Sequence, residues 1–404
     1  MKKIFLIITL ILLTKNTYGQ TILKVGDKAP KINLTDIILN APKDKNIQNK
    51  FIVLEFWATW CAPCLSAVPH LNKLQDKYKS KKNLLFISLT DEKPEKIKRT
   101  LQRIEFKTVV ASDETKNTET SYNVTSIPHT VLIDNKGVIK WVGDPKDLNS
   151  TLIARLINGQ VIVVKNKERK LEKSDDVDMD SKVVADKGAK EIDFVAAFAF
   201  LKDISNQYVF KLIKIDEKKK GSMAIDALAS GKFVGLNSSL KSIISQVIKK
   251  PKQQIIIPDS LKENKYNLMY RNPKKIAEKD LRANLKANLL DTLNLTYSVE
   301  AKNTVIYSLK IIDDNKLDIE TDGGNVNHSG DSDLFLVCSN SDINTLIREI
   351  EQSQNIIIFD KTNLVKKYNF ILKNESLKTI IKDLETYGLT LEKTTKSIKF
   401  YNFK

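Results

Sequence analysis

Two cysteines three residues apart, Cys61 and Cys64, are the side chains whose types and spacing suit covalent chemistry. They lie in Trp60-Cys61-Ala62-Pro63-Cys64, where an apolar, strand-like run gives way to a helical pattern. At a helix N-terminus, unpaired N–H groups and the positive helix end favour a thiolate, so Cys61 is the candidate nucleophile toward a disulfide. Cys64, one turn deeper, can attack the resulting mixed disulfide from inside and release the reduced partner. Proline is tolerated in a first helical turn, and Pro63 stiffens the ring that the oxidised pair closes. Two other readings use the same pair: a structural disulfide, or half of a zinc site. Zinc would need the distant Cys338 and one of only three histidines.

The elements that must hold this pair are readable on both sides of it. Residues 51–57, FIVLEFW, are apolar on both pleat faces except at Glu55, which suits a central strand covered on both sides. A lone carboxyl in such a run is expected to titrate high, which suits proton transfer near neutrality; a solvated, outward carboxylate is the competing reading. After the cysteines, Leu65, Val68, Leu71 and Leu74 recur at helical spacing. There follow a buried strand at 84–89, a helix at 93–104 and a short strand at 108–111. A hairpin turns about Asn135-Lys136 with Gly137 closing it, and a last helix covers 149–157. This alternation predicts an α/β layer fold over residues 20–162.

Residues 24–162 resemble a TlpA-like thioredoxin, a family of exported thiol-disulfide oxidoreductases. The resemblance is carried by Val25-Gly26-Asp27-Lys28-Ala29-Pro30, WATWCAPC at 57–64, Ser126-Ile127-Pro128 and the hairpin at 134–137. It implies a thioredoxin-like fold, a central mixed sheet flanked by helices, with a redox-active Cys61–Cys64 disulfide and no further cofactor or metal. It also implies a cis-proline at Pro128 facing the pair, and client contact through Trp60, Ala62, Pro63 and the backbone at Ile127. Glu55 matches the buried acid that helps to move the proton of the second cysteine. The branch that reduces apocytochrome c has a glutamate where this chain has Ala67, so the chain departs from that branch at this position. Ala62-Pro63 supplies no charge to stabilise the reduced form, so the expected role is reductant or isomerase rather than strong oxidant. His129, next to Pro128, either modulates Cys61 or is an ordinary loop residue.

Residues 1–19 begin with two lysines, an apolar run from 4 to 13 and a polar end, the pattern of a secretory signal peptide. The run is too short to span a bilayer; an uncleaved anchor is the alternative. The remainder is therefore expected to be exported or periplasmic, soluble after signal removal and without stable membrane insertion. Its expected partners are a disulfide-containing envelope client and a membrane thiol electron donor. Residues 163–192, eight basic and eight acidic with no aromatic, read as a charged linker.

Residues 193–404 read as an α+β region of repeated strand-helix units. NSSLKSIISQVI at 237–248 is echoed by NESLKTIIKDLE at 374–385 and, more weakly, by SDINTLIREIEQ at 341–352. Ser, Asn or Asp is available as N-cap, and the units are expected to stack on one sheet. This half resembles a soil-associated protein family of unknown function that is fused to thioredoxins of this type. The matching residues are at 266–268, 289–299, 305–309, 360–364 and 368–370, with Asn363 and Lys366 standing where the family has glycines. Its closing strand, helix and strand are also similar to the small N-terminal domains of secretins and TonB-dependent receptors, which implies a protein-binding role. His328 reads as part of a solvated turn. Cys338 reads as a buried small hydrophobe, with an intermolecular disulfide as the sharper alternative.

The formal charge of +17 divides as +3 in the signal segment, +7 in 20–162, zero in the linker and +7 in 193–404. No basic run is interleaved with aromatics, so the charge does not point to nucleic acid. The leading function is an exported thiol-disulfide oxidoreductase whose C-terminal half positions or selects the client. The alternatives are a redox-regulated envelope binding or sensing protein with little turnover and a thiol peroxidase, against which the paired cysteines argue.

Overall fold

The computed structural model describes residues 23–43, 46–162, 194–215, 223–320 and 328–404. The signal peptide expected at 1–19 and the linker expected at 163–192 lie outside the described residues. Among the described residues, no helix is long and apolar enough to cross a membrane. Contacts divide the described residues into two compact units. One gathers those within Met1–Glu168, Asp313–Glu349 and Leu364–Gly388; the other gathers those within Arg169–Ile312, Ile350–Asn363 and Leu389–Lys404.

In the first unit, β1 (Asp36–Leu39), β2 (Phe51–Phe56), β3 (Leu84–Thr90), β4 (Val109–Ser112), β5 (His129–Ile133) and β6 (Ile139–Gly143) form one sheet in the order β1-β4-β3-β2-β5-β6. β2 runs parallel to β3 and antiparallel to β5, so the sheet is mixed and β2 is central. All of β2 is buried, as its Phe, Ile, Val and Leu residues require. On one face Phe51 and Val53 pack against Leu71 and Leu74 of α1 (Ala62–Tyr78) and Ile153 and Leu156 of α3 (Ser150–Ile157). On the other, Ile52 and Leu54 pack against Ile87, Val131 and Ile133. A helix α2 (Pro94–Leu101) follows β3. The hairpin forms as expected: Gly137 takes φ 73°, and Asp134 Oδ1 accepts from the N–H groups of Lys136 and Val138, each at 2.9 Å.

The rest of the chain supplies α4 (Phe194–Lys202), β7 (Val209–Ile215), β8 (Met223–Ala227), β9 (Lys232–Ser239), α5 (Leu240–Ile248), β10 (Ile255–Ile256), β11 (Lys265–Arg271), α6 (Glu278–Leu293) and β12 (Tyr297–Ile311). Then come β13 (His328–Asp331), β14 (Phe335–Ser341), α7 (Ile343–Gln354), β15 (Ile358–Asp360), β16 (Tyr368–Lys373), α8 (Leu377–Thr386) and β17 (Leu389–Phe403). His328 therefore opens a strand, opposite Ser339, rather than lying in a turn.

The three echoed helices all form behind side-chain caps. Ser239 Oγ accepts from Ser242 N–H at 3.2 Å, Asp342 Oδ1 from Thr345 N–H at 2.8 Å, and Ser376 Oγ from Thr379 N–H at 3.2 Å. Contrary to the expectation from their sequences, they do not share one sheet. β9 belongs to the sheet β7-β11-β9-β8 of the second unit, while β14 and β16 belong to the sheet β13-β14-β16 of the first. The reason is local pairing. Asn237 leaves β9 in a left-handed bulge (φ 47°) and its N–H donates to Asn267 Oδ1 of β11 at 2.8 Å; Asn340 of β14 (φ 50°) donates likewise to Asn369 Oδ1 of β16 at 3.0 Å. Ser238 and Ser341, the next residues, each donate to the carbonyl two residues back at 3.0 Å. Each bulged strand thus closes on its own Tyr-Asn strand, Tyr266-Asn267 or Tyr368-Asn369, and makes a separate small sheet.

Candidate active site

The dithiol is placed by the abrupt end of β2. After Phe56 the chain passes through Trp57 and Thr59, and α1 starts at Ala62 with Cys61 as its N-cap in extended conformation. Cys64 N–H donates to Cys61 Sγ at 3.2 Å, and the two sulfurs are joined as a disulfide with Cα atoms 5.2 Å apart. On reduction the same N–H and the helix end favour negative charge on Cys61. Cys64 is fully buried, whereas Pro63 is exposed on the first turn and Trp60 is half-buried.

Cys61, Cys64, Ala62 and Trp57 share one apolar cluster, against which Trp60 and Ile127 pack. The sequence-predicted residues Trp60, Ala62 and Ile127 are thereby brought to the dithiol. The Ile127–Pro128 peptide is cis, and Pro128, half-buried, leads into β5. A cavity of about 330 Å³ opens beside this cluster, lined among others by Trp57, Trp60, Thr90, Asp91, Lys116 and Ile127.

One positioning residue escapes sequence reading. The Glu92 carboxylate accepts from Thr59 N–H at 2.6 Å and from Thr59 Oγ1 at 2.8 Å, and it pairs with Lys96 at 2.9 Å. It ties down the turn that delivers Cys61. Between Thr59 and Glu92 in the chain lie α1 and β3, and no local pattern links the two.

Glu55 points into the α1-covered face of the sheet, with the parity of Phe51 and Val53. Its Oε2 accepts from Ser88 Oγ at 2.8 Å, while its Oε1 is buried without a hydrogen-bond partner. Burial raises its pKa to about 8, against the lowering effect of Ser88 and with a small raising contribution from Asp144. Glu55 is thus the buried, high-titrating acid that the sequence predicts, and its polar contact is with Ser88 rather than with either cysteine. His129 is a strand residue, not a loop residue: it opens β5 opposite Phe56, its ring centroid is 6.0 Å from that of Phe56, and burial lowers its pKa. Ala67 is buried on α1. Cys338 is a buried free thiol on β14 whose pKa is pushed up by burial. Among the described residues, no group of three or more His, Cys, Asp or Glu side chains is placed to hold a metal ion.

Parts of the chain are similar to known proteins. Residues 25–142 match the AhpC/TSA family, and residues 241–401 match a protein family of unknown function, DUF3738. The thiol-disulfide oxidoreductase ResA of a Bacillus cereus strain is 31% identical over 124 residues, covering 30% of this chain and 72% of the relative. The thioredoxin-like protein YneN of Bacillus subtilis (strain 168) is 34% identical over 116 residues, covering 28% of this chain and 68% of the relative. Among solved structures, a thiol-disulfide isomerase from Corynebacterium glutamicum aligns at 20% identity with a TM-score of 0.29, covering 34% of this chain and 98% of that one. With its dithiol at the head of α1 and a ResA relative 31% identical over 72% of that relative's length, the chain belongs to the thioredoxin-like, ResA-type thiol-disulfide oxidoreductases.

Proposed function

We propose that this oxidoreductase is exported and acts as a reductant or isomerase on disulfides of envelope protein clients, with residues 193–404 positioning or selecting the client. The observation that carries the reading is Cys61 at the N-cap of α1, with Cys64 N–H on its sulfur and only the uncharged Ala62 and Pro63 between the two cysteines. A Cys61 thiolate attacks one client sulfur; the client S–S bond breaks, a mixed disulfide forms, and the departing client thiolate takes up a proton. Cys64, once deprotonated, attacks Cys61 Sγ, closes the internal disulfide and releases the second client thiolate. Two electrons pass from the dithiol to the client, and a membrane thiol donor returns them.

In this scheme Glu55 takes the proton of Cys64 when it is in its ionised form, and holds it otherwise. A carboxyl raised to about 8 lies close to an ordinary thiol, so transfer between them is nearly balanced. Trp60, Ala62, Pro63, Ile127 and Pro128 form the contact surface for the client. Export rests on the lysine-led apolar run near the start of the chain.

The test uses the reduced chain from residue 20 onward. It should reduce insulin, and Cys61→Ser should abolish this. In the native envelope, Cys64→Ala should trap discrete proteins as mixed disulfides identifiable by mass spectrometry. Insulin reduction untouched by Cys61→Ser, or an empty trap, overturns the proposal.

A further inference from the structure

The redox face of the first unit is covered by part of the same chain. Phe335 and Val337 of β14 and Ile371 of β16 pack into the cluster that holds Trp57, Cys61, Ala62 and Leu65. Gly330 of β13 lies over α1: a Cβ at this glycine would stand 4.0 Å from Ala62 Cβ. Ser66 and Ser332 are hydrogen-bonded through their hydroxyls. Further along the contact, Arg103 Nη1 donates to Thr386 Oγ1 at 2.8 Å, its guanidinium lies 3.6 Å over the Tyr387 ring, and Arg99 faces Asp318 at 3.6 Å. The result is that Cys61 is only 4% exposed and Ala62 only 2%.

The duplicated module gives an independent reason to read this contact as docking. With the Asn bulges aligned, Val337 and Ile371 of the first unit correspond to Val234 and Met269 of the second. In the second unit that face is covered by a helix: Val234 and Met269 pack against Ala197 and Phe200 of α4. The same sheet face therefore carries an apolar helix-binding surface in both copies. In one copy its occupant is α4, and in the other it is the first turns of α1, which carry the dithiol.

We propose that the redox face is the docking surface for the chain's own sheet β13-β14-β16, which acts as a cap shielding Cys61 and is displaced when a client is reduced. This rests on the client-reducing reading above and adds its regulation. The contact is apolar at its centre and polar at its margins. A client disulfide flanked by apolar residues competes for it best, because such a segment takes the place of Phe335 and Val337 in the apolar cluster that holds the dithiol.

The test measures iodoacetamide alkylation of Cys61 in the full chain carrying Cys64→Ala, with and without Gly330→Arg. The glycine is not in a left-handed conformation, so its backbone tolerates the new side chain, whose Cβ stands in contact with Ala62 Cβ and whose long, charged remainder is introduced at the margin of this apolar contact. Alkylation should be about tenfold faster or more in the Gly330→Arg chain, since the accessible fraction sets the apparent rate. In a Cys61→Ser, Cys64→Ala background, Ser66→Cys with Ser332→Cys should form a disulfide under mild oxidation. Equal alkylation rates in chains of unchanged circular dichroism, or no cross-link, overturn the cap. Faster alkylation in Gly330→Arg with no insulin reduction by any chain that retains both cysteines sustains the cap and overturns the client reading instead.

Discussion

Glu55 is a carboxyl whose surroundings make its charge a matter of pH. One oxygen has only the Ser88 hydroxyl and the other has no partner, so burial dominates and the pKa stands near 8 against an ordinary 4.5. The folded protein then holds a proton that the unfolded chain has already released. The stability this confers is fully present below the unfolded pKa and is lost as pH rises through the folded one. Glu55→Gln keeps the shape and removes the titration. Urea unfolding from about pH 5 to about pH 9 should show wild type losing several kcal/mol relative to the glutamine chain. Two curves that stay parallel across that range would refute the assignment. The position was readable from sequence because a single carboxyl interrupts an apolar strand. Glu92 was not, because its grip on Thr59 arises only when β2 and β3 lie side by side and the segments after them come together.

Capped helices were the elements that the sequence of the C-terminal half announced most clearly, since Ser239, Asp342 and Ser376 sit where an N-cap must. The pairing of the repeats was harder to read. Helix similarity drew 237–248 toward 374–385, whereas the backbone matches 237 with 340, because the feature the two copies share is a bulge and its cross-strand amide. Amphipathic helices resemble one another for reasons of burial alone; an asparagine held at positive φ by a second asparagine on the neighbouring strand is the more specific signal. Asn340→Ala places a Cβ-bearing residue in the left-handed region without the local hydrogen bonding that asparagine has. It should lower stability by about 1–2 kcal/mol. Asn340→Gly should recover most of that loss, since glycine adopts this conformation without steric penalty. Thermal unfolding of the pair discriminates: equal losses would mean that the side chain, not the backbone, matters there.

In the whole chain, the two units trade segments: Asp313–Glu349 and Leu364–Gly388 go to the first, Ile350–Asn363 and Leu389–Lys404 to the second. Neither composition nor charge marks such exchanges, because each segment is an ordinary mixture of apolar and polar stretches. The last strand shows the consequence. β17 pairs with β12 from Tyr297↔Phe403 to Ile311↔Leu389, Thr296 and Lys404 exchange backbone hydrogen bonds of 2.6 and 3.0 Å, and Phe403 is buried in the second unit's core with Tyr297 packed beside it. A residue next to the chain terminus is therefore a core residue. Phe403→Ala should cost about 3–5 kcal/mol, the range for emptying a buried phenylalanine site. All three tryptophans, Trp57, Trp60 and Trp141, belong to the first unit, and Phe403 packs within the second. Denaturation followed by circular dichroism should consequently shift to lower denaturant in Phe403→Ala, with tryptophan fluorescence responding less. A shift in fluorescence as large as that in circular dichroism would show that the two units unfold as one, and that the core around Phe403 stabilises the dithiol unit as well as its own.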